Sequence, residues 1–191
     1  MQQTKRRLWW FIPAVVLIAL DQGTKWLAKS SLALKPFVLI PGVLELTYTE
    51  NDGAAWSMFS GKQTFLIIVT SVMLGLVLFA LLKGPWKHPV ALVAETLLIA
   101  GGVGNLIDRI VREYVVDFIY VKAIDFPVFN VADCCVCIGA FLLAVYVLFL
   151  SEKEDSRGNQ AITAGGDDGG TVGQGSGAES RGDAGDGTKV D

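Results

Sequence analysis

Eight polar side chains crowd the ends of three long apolar runs. Asp21 and Lys25 lie in LDQGTKWL, Asn105, Asp108 and Arg109 in GGVGNLIDR, Asp117 in VVDFI, and Asn130 and Asp133 in FNVAD. An ionisable group at the centre of a membrane helix costs roughly 2.5–3.5 kcal/mol, so such groups point to function by default. Their spacing is helical. Asp21 and Lys25 are four residues apart, as are Asn105 and Arg109, and Asn130 and Asp133 are three apart, so each pair shares a helix face. Any one of them alone could snorkel to water or cap a helix, as Asn130 could for the run that follows it. Converging on one depth, they predict a single buried polar site.

Two carboxylates held close cannot both ionise cheaply, so the pair retains a proton. The charged member is a base for water, and the protonated member an acid for a carbonyl oxygen or leaving amine. That is amide hydrolysis without a nucleophilic serine or a metal. The chain has one histidine, His88, and neither HExxH nor GxSxG. Its three cysteines, Cys134, Cys135 and Cys137, include a formal CxxC, but a zinc site needs further ligands nearby, so they read as helix-packing residues. No metal or cofactor is expected. Asp108 and Asp21 have basic neighbours, Arg109 and Lys25, which would keep them ionised and structural. Asp117 and Asp133 are therefore favoured as the catalytic pair. Glu95, in the third apolar run away from the cluster, is assigned a structural place.

The elements that must carry these residues follow from hydropathy. Hydrophobic residues make up 52 % of the 191-residue chain. They are concentrated in runs over residues 8–28, 65–82, 89–107 and 128–150, each near the length that crosses a bilayer. The basic start and apolar first run would also fit a signal peptide, but the run leads into DQGTK with no small-x-small cleavage site, so a retained helix is expected. Lys5, Arg6 and Arg7 precede the first run, and Lys83 and Lys87 join the second to the third, which places these clusters and both termini in the cytoplasm. The connections over 30–63 and 108–127 then lie outside, and the polar cluster sits near the outer face. In the first connection, VLELTYT (43–49) alternates as a half-buried strand does, FVLI precedes a Pro41-Gly42 turn, and AAWSMF reads as a short interfacial helix. Two domains are expected. Residues 1–150 form the membrane body, with twelve basic and ten acidic residues. Residues 151–191, with four basic and nine acidic residues and much Gly, Asp and Ser, read as a disordered cytoplasmic tail.

DQGTK (21–25), TENDGAAW (49–56), GGVGNLIDR (101–109), VVDFI (115–119) and FNVAD (129–133) resemble, in order, the motifs of the lipoprotein signal peptidase (signal peptidase II) family, over residues 7–150. The resemblance implies an α-helical membrane fold of four transmembrane helices with a small extracytoplasmic β-sheet. It implies an aspartyl peptidase of the bacterial inner membrane that cuts prolipoproteins before a diacylglyceryl cysteine, and a target of the cyclic peptide globomycin. It places the catalytic pair on Asp117 and Asp133. It places supporting or substrate-binding residues on Asp21, Lys25, Asn51, Gly53, Gly101, Asn105, Asp108, Arg109 and Asn130. The partners implied are prolipoprotein substrates and membrane lipid, with no nucleic acid, and one complete site on four spans suits a monomer. Trp56 stands where Phe is usual, and Cys134 and Cys135 stand where small residues are common.

Two other functions fit a polar membrane helix bundle. A proton-coupled transporter or channel subunit would need polar groups through the full membrane thickness, whereas these crowd one face and the second run is almost purely apolar. A structural subunit would use the cluster for assembly and hydrolyse nothing.

Overall fold

The computed structural model describes residues 9–53, 58–83 and 88–151. Trp56, much of the AAWSMF segment, the basic residues at 5–7 and at 87, and the acidic stretch over 152–191 lie outside the described residues. Among the described residues, four helices are long and apolar enough to cross a membrane. They are α1 (Phe11–Leu32), α2 (Gln63–Lys83), α3 (Pro89–Val111) and α4 (Val131–Val145), the last continued by a π-helical turn, Tyr146–Leu150. Three strands, β1 (Phe37–Ile40), β2 (Leu44–Asn51) and β3 (Val115–Val121), form one antiparallel sheet in that order.

α3 is the central helix, packed against α1, α2 and α4. Small residues let it approach its neighbours. A β-carbon on Gly101 would lie 2.3 Å from the Ala132 carbonyl oxygen, and one on Gly104 would lie 2.6 Å from an Asp21 carboxylate oxygen. Close approach through small residues is the usual device where lipid offers no hydrophobic drive between helices. The outward faces keep large apolar side chains, among them Leu76, Phe79, Phe141 and Phe149, as contact with hydrocarbon requires. α1 buries only Ala14, Asp21, Lys25 and Ala28, a stripe of helical period facing the bundle. Asp21 and Lys25 thus point inward, away from lipid. α3 starts at His88, whose Nδ1 accepts from the Val90 N–H, with Pro89 at the first helical position.

The sheet rests on the end of α1. Ala28 packs with Val116 and Phe118, surrounded by Leu32, Leu46 and Tyr48. Gly42, at φ +74°, makes the turn between β1 and β2. β2 runs from Leu44 to Asn51, two residues beyond the end of the stretch whose alternation predicts a strand. β3 is a strand that the sequence pattern does not mark. VVDFIYV lacks alternation because Val115–Phe118 are buried throughout, so no polar face marks it. Register pairs Thr49 with Asp117 and Asn51 with Val115. Phe129 extends the far edge of β3, exchanging backbone hydrogen bonds with Ile119 at 2.8 and 3.0 Å. This brings the entry to α4 beside the strand that carries Asp117.

Candidate active site

α4 begins with a reciprocal cap. The Asn130 side chain accepts from the Asp133 N–H at 2.9 Å, and Asp133 Oδ2 accepts from the Asn130 N–H at 3.0 Å. The aspartate three residues into the helix is thereby locked in one rotamer at the helix N-terminus, where a carboxylate is favoured. The same Asn130 donates from Nδ2 to Asp117 Oδ1 at 2.6 Å. One fully buried asparagine therefore holds both acids. Asp117 also receives Asn51 Nδ2 at 2.9 Å, and Asp133 receives Asn105 Nδ2 at 2.8 Å. The Asn51 side chain is fixed in turn by an Asx turn, its Oδ1 accepting from the Gly53 N–H. Burial, aided by the Asp133 charge, pushes the Asp117 carboxyl up to about 6, against the pull of the Asn51 and Asn130 donors.

Behind the acids lies a buried ion cluster with its hub at Lys25. Its Nζ reaches Asp21 at 2.9 Å, Asp108 at 3.0 Å and Asn105 Oδ1 at 2.9 Å. Each carboxylate has a second task. Asp21 Oδ1 accepts from the Ala132 N–H, a free donor of the first turn of α4. Asp108 Oδ2 accepts from the Val116 N–H, one residue before Asp117. The cluster thus ties α1 and α3 to the two backbone segments that carry the acids. Asn105 accepts from Lys25 and Asn130 and donates to Asp133, so its polar atoms are engaged within the protein.

The structure pairs one residue differently from the sequence expectation. Arg109 is not the cation beside Asp108. Adjacent residues on a helix point about 100° apart, so Asp108 faces α1 and Lys25. Its second cation is Arg112, one helical turn on, with Gln22 bridging the two. Gln22 and Arg112 were not singled out in the sequence, although the four-residue spacing of Asp108 and Arg112 was a readable signal. Among the described residues, Arg109 instead makes two long contacts, 3.5 Å to the Asn105 carbonyl and 3.4 Å to the Gly53 carbonyl. Its Nε is buried with no hydrogen-bond partner among the described residues. Gly101 serves the α3–α4 contact rather than the cavity, and Glu95, 1 % exposed, lines neither cavity at the acids.

Two cavities meet at Asn105, Arg109 and Asp133. The first, about 520 Å³, also holds Asp117 and Asn51 and is walled by Phe126, Phe129, Val136 and Ile138. The second, about 790 Å³, runs between α2, α3 and α4 and is lined by aliphatic residues such as Met73, Val77, Leu98 and Leu143. Among the described residues, no group of three or more His, Cys, Asp or Glu side chains could hold a metal ion. Two acids in a largely apolar cavity, beside the Arg109 guanidinium, can activate water against a carbonyl bound in the same place.

The family model for signal peptidase (SPase) II matches residues 13–149. Lipoprotein signal peptidases of Streptococcus pyogenes, serotype M5 strain Manfredo and serotype M18 strain MGAS8232, are each 38 % identical over 162 residues, covering 81 % of this chain and 99 % of theirs. A bacterial membrane enzyme solved by the in meso method at 2.3 Å resolution superposes with a TM-score of 0.68 at 32 % identity, covering 85 % of this chain and 94 % of that one. Another, solved at 1.9 Å, gives 0.67 at 36 % identity, with 74 % and 94 % covered. Five ordered motifs, the four-helix fold and these matches together place the chain in the signal peptidase II family.

Proposed function

We propose that this protein is an aspartyl endopeptidase that removes signal peptides from lipid-modified prolipoproteins, cutting before the diacylglyceryl cysteine. Asp117 and Asp133 are the catalytic pair. The observation that carries this reading is that one asparagine, Asn130, holds both carboxyls at the wall of one largely apolar cavity. A substrate anchored by its lipid presents its scissile bond at membrane depth, so the acids must be there too.

In this reading Asp117, whose carboxyl is pushed up to about 6, holds the proton at the start. Asp133, fixed by two N–H donors, is the carboxylate that takes a proton from water. Water adds to the scissile carbonyl, and Asp117 supplies the proton to the oxygen. The proton gained by Asp133 then goes to the leaving amine as the C–N bond breaks, and one hydroxyl of the tetrahedral intermediate returns its proton to Asp117. Arg109, whose contacts among the described residues are long, holds a substrate carbonyl. Asn105 and the Lys25 cluster position the acids and do not touch substrate.

The chain sits in the bacterial cytoplasmic membrane with both termini inside, as the basic residues flanking the spans favour. The acids are then near the outer face, and one chain suffices. The test uses purified protein and a prolipoprotein peptide, with and without the diacylglyceryl group. Mass spectrometry should show one cut, before the cysteine, in the lipidated peptide alone. A folded protein that cuts neither peptide, or both equally, would refute the assignment.

A further inference from the structure

The cavity that holds the acid pair also carries two free thiols. Cys134 follows Asp133 directly, and Cys137 lies three residues further on the same face of α4. Cys134 is partly accessible and Cys137 is exposed. The third thiol differs. Cys135 is buried and lines neither cavity at the acids. The rest of the wall is apolar: Phe126, Phe129, Val136 and Ile138 stand around the thiols. A small uncharged, apolar molecule would partition there, and a charged one would not.

We infer that Cys134 and Cys137 form a covalent modification site for small, uncharged, apolar soft electrophiles, and that occupying it blocks the acid pair. The inference rests on the peptidase reading only for its activity readout. With an N-alkylmaleimide, the thiol loses its proton to solvent and sulfur attacks one alkene carbon. A C–S bond forms, and the other alkene carbon takes up a proton. Nothing leaves, and no oxidant is consumed. The adduct projects into the cavity of about 520 Å³ that Asp117 and Asp133 share, so it excludes the substrate segment that must reach them.

The experiment treats full-length protein in lipid nanodiscs with N-ethylmaleimide or with a cationic, membrane-impermeant methanethiosulfonate. Adducts are located by peptide mass spectrometry, and cleavage is compared with each protein's own untreated rate. Cys134 and Cys137 should react with the maleimide on the order of tenfold faster than Cys135. The cationic reagent should lag, and modified wild type should lose most of its cleavage. Cys134→Ala/Cys137→Ala should keep its untreated rate after the same exposure, and Cys135→Ala should be blocked like wild type. Preferential labelling of Cys135, or labelling of Cys134 and Cys137 with cleavage intact, would overturn the inference. If untreated wild type cuts nothing, the peptidase reading fails. The labelling order then still tests the site, with equal rates at all three thiols counting against it.

Discussion

Replacing Asp117 with asparagine should abolish cleavage and yet make the protein more stable at neutral pH. The Asp117 carboxyl titrates at about 6, against 3.8 for an ordinary aspartate. A folded-state value raised above the unfolded one means that the native state binds the proton more tightly. This group's contribution to stability is therefore full below about pH 4 and is lost as pH rises through about 6. Fully ionised, the strained carboxylate costs about 3 kcal/mol, at about 1.4 kcal/mol for each tenfold change. The amide never ionises, so it escapes that cost. It can accept from only one of the two donors now bonded to Asp117, Asn51 Nδ2 and Asn130 Nδ2, and the lost bond costs about 1–2 kcal/mol. The balance is a gain of about 1–2 kcal/mol at neutral pH. For a chain of this size that is a rise in Tm of about 3–6 °C. The assay is thermal unfolding in detergent across the acid-to-neutral range. The stability difference between Asp117→Asn and wild type should rise by about 3 kcal/mol across that range, from a deficit of about 1–2 kcal/mol in acid, where wild type is protonated and only the lost bond counts, to the full gain near neutrality. A variant less stable than wild type at neutral pH, or a difference that does not change with pH, would refute the reasoning.

Other substitutions separate the site's parts. Lys25→Met removes the cation between Asp21 and Asp108 and leaves buried charge uncompensated, so thermal unfolding should show a loss of about 3–5 kcal/mol. Gly101→Ala places a β-carbon against the Ala132 carbonyl and should cost about 1–3 kcal/mol, whereas Gly23→Ala, with open space around it, should be neutral or stabilising by up to about 1 kcal/mol. Asn130→Ala loses the helix cap, worth about 1 kcal/mol, and frees both acids, so kcat should fall about a hundredfold while the melt moves little. Arg109→Gln should reduce cleavage less than loss of either acid; equal loss in the peptide assay would contradict its placement on a substrate carbonyl. The profile of kcat/KM should fall as pH rises through about 6, because the free enzyme then loses the proton on the acid pair; a flat profile would contradict that assignment.

The sequence carried the four spans because length and hydropathy are local properties, and it carried the site because intramembrane polar groups are few. The Asp21–Lys25 ion pair and the Asn130 cap could be read from spacing alone, since both lie within one turn of one helix. Other features could not. β3 was hidden because burial of consecutive residues erases the alternation that marks a strand. α1 continues past the apolar run to Leu32 through Lys29, Ser30 and Ser31, exposed polar residues that hydropathy averaging leaves out of the span. The cation of Asp108 was misplaced onto its sequence neighbour, although helix geometry favours Arg112 one turn away. The contacts of Asp21 with the Ala132 N–H and of Asp108 with the Val116 N–H join elements far apart in sequence. No spacing rule within one element could supply them.

The most direct measurement compares purified wild type, Asp117→Asn and Asp133→Asn on one lipidated prolipoprotein peptide, each shown to be folded at the assay temperature by a cooperative thermal transition above it. The two-acid account predicts a cut before the lipidated cysteine by wild type and no detectable cut by either variant. Near-normal cleavage by either variant would contradict it and turn attention to Asp21 or Asp108.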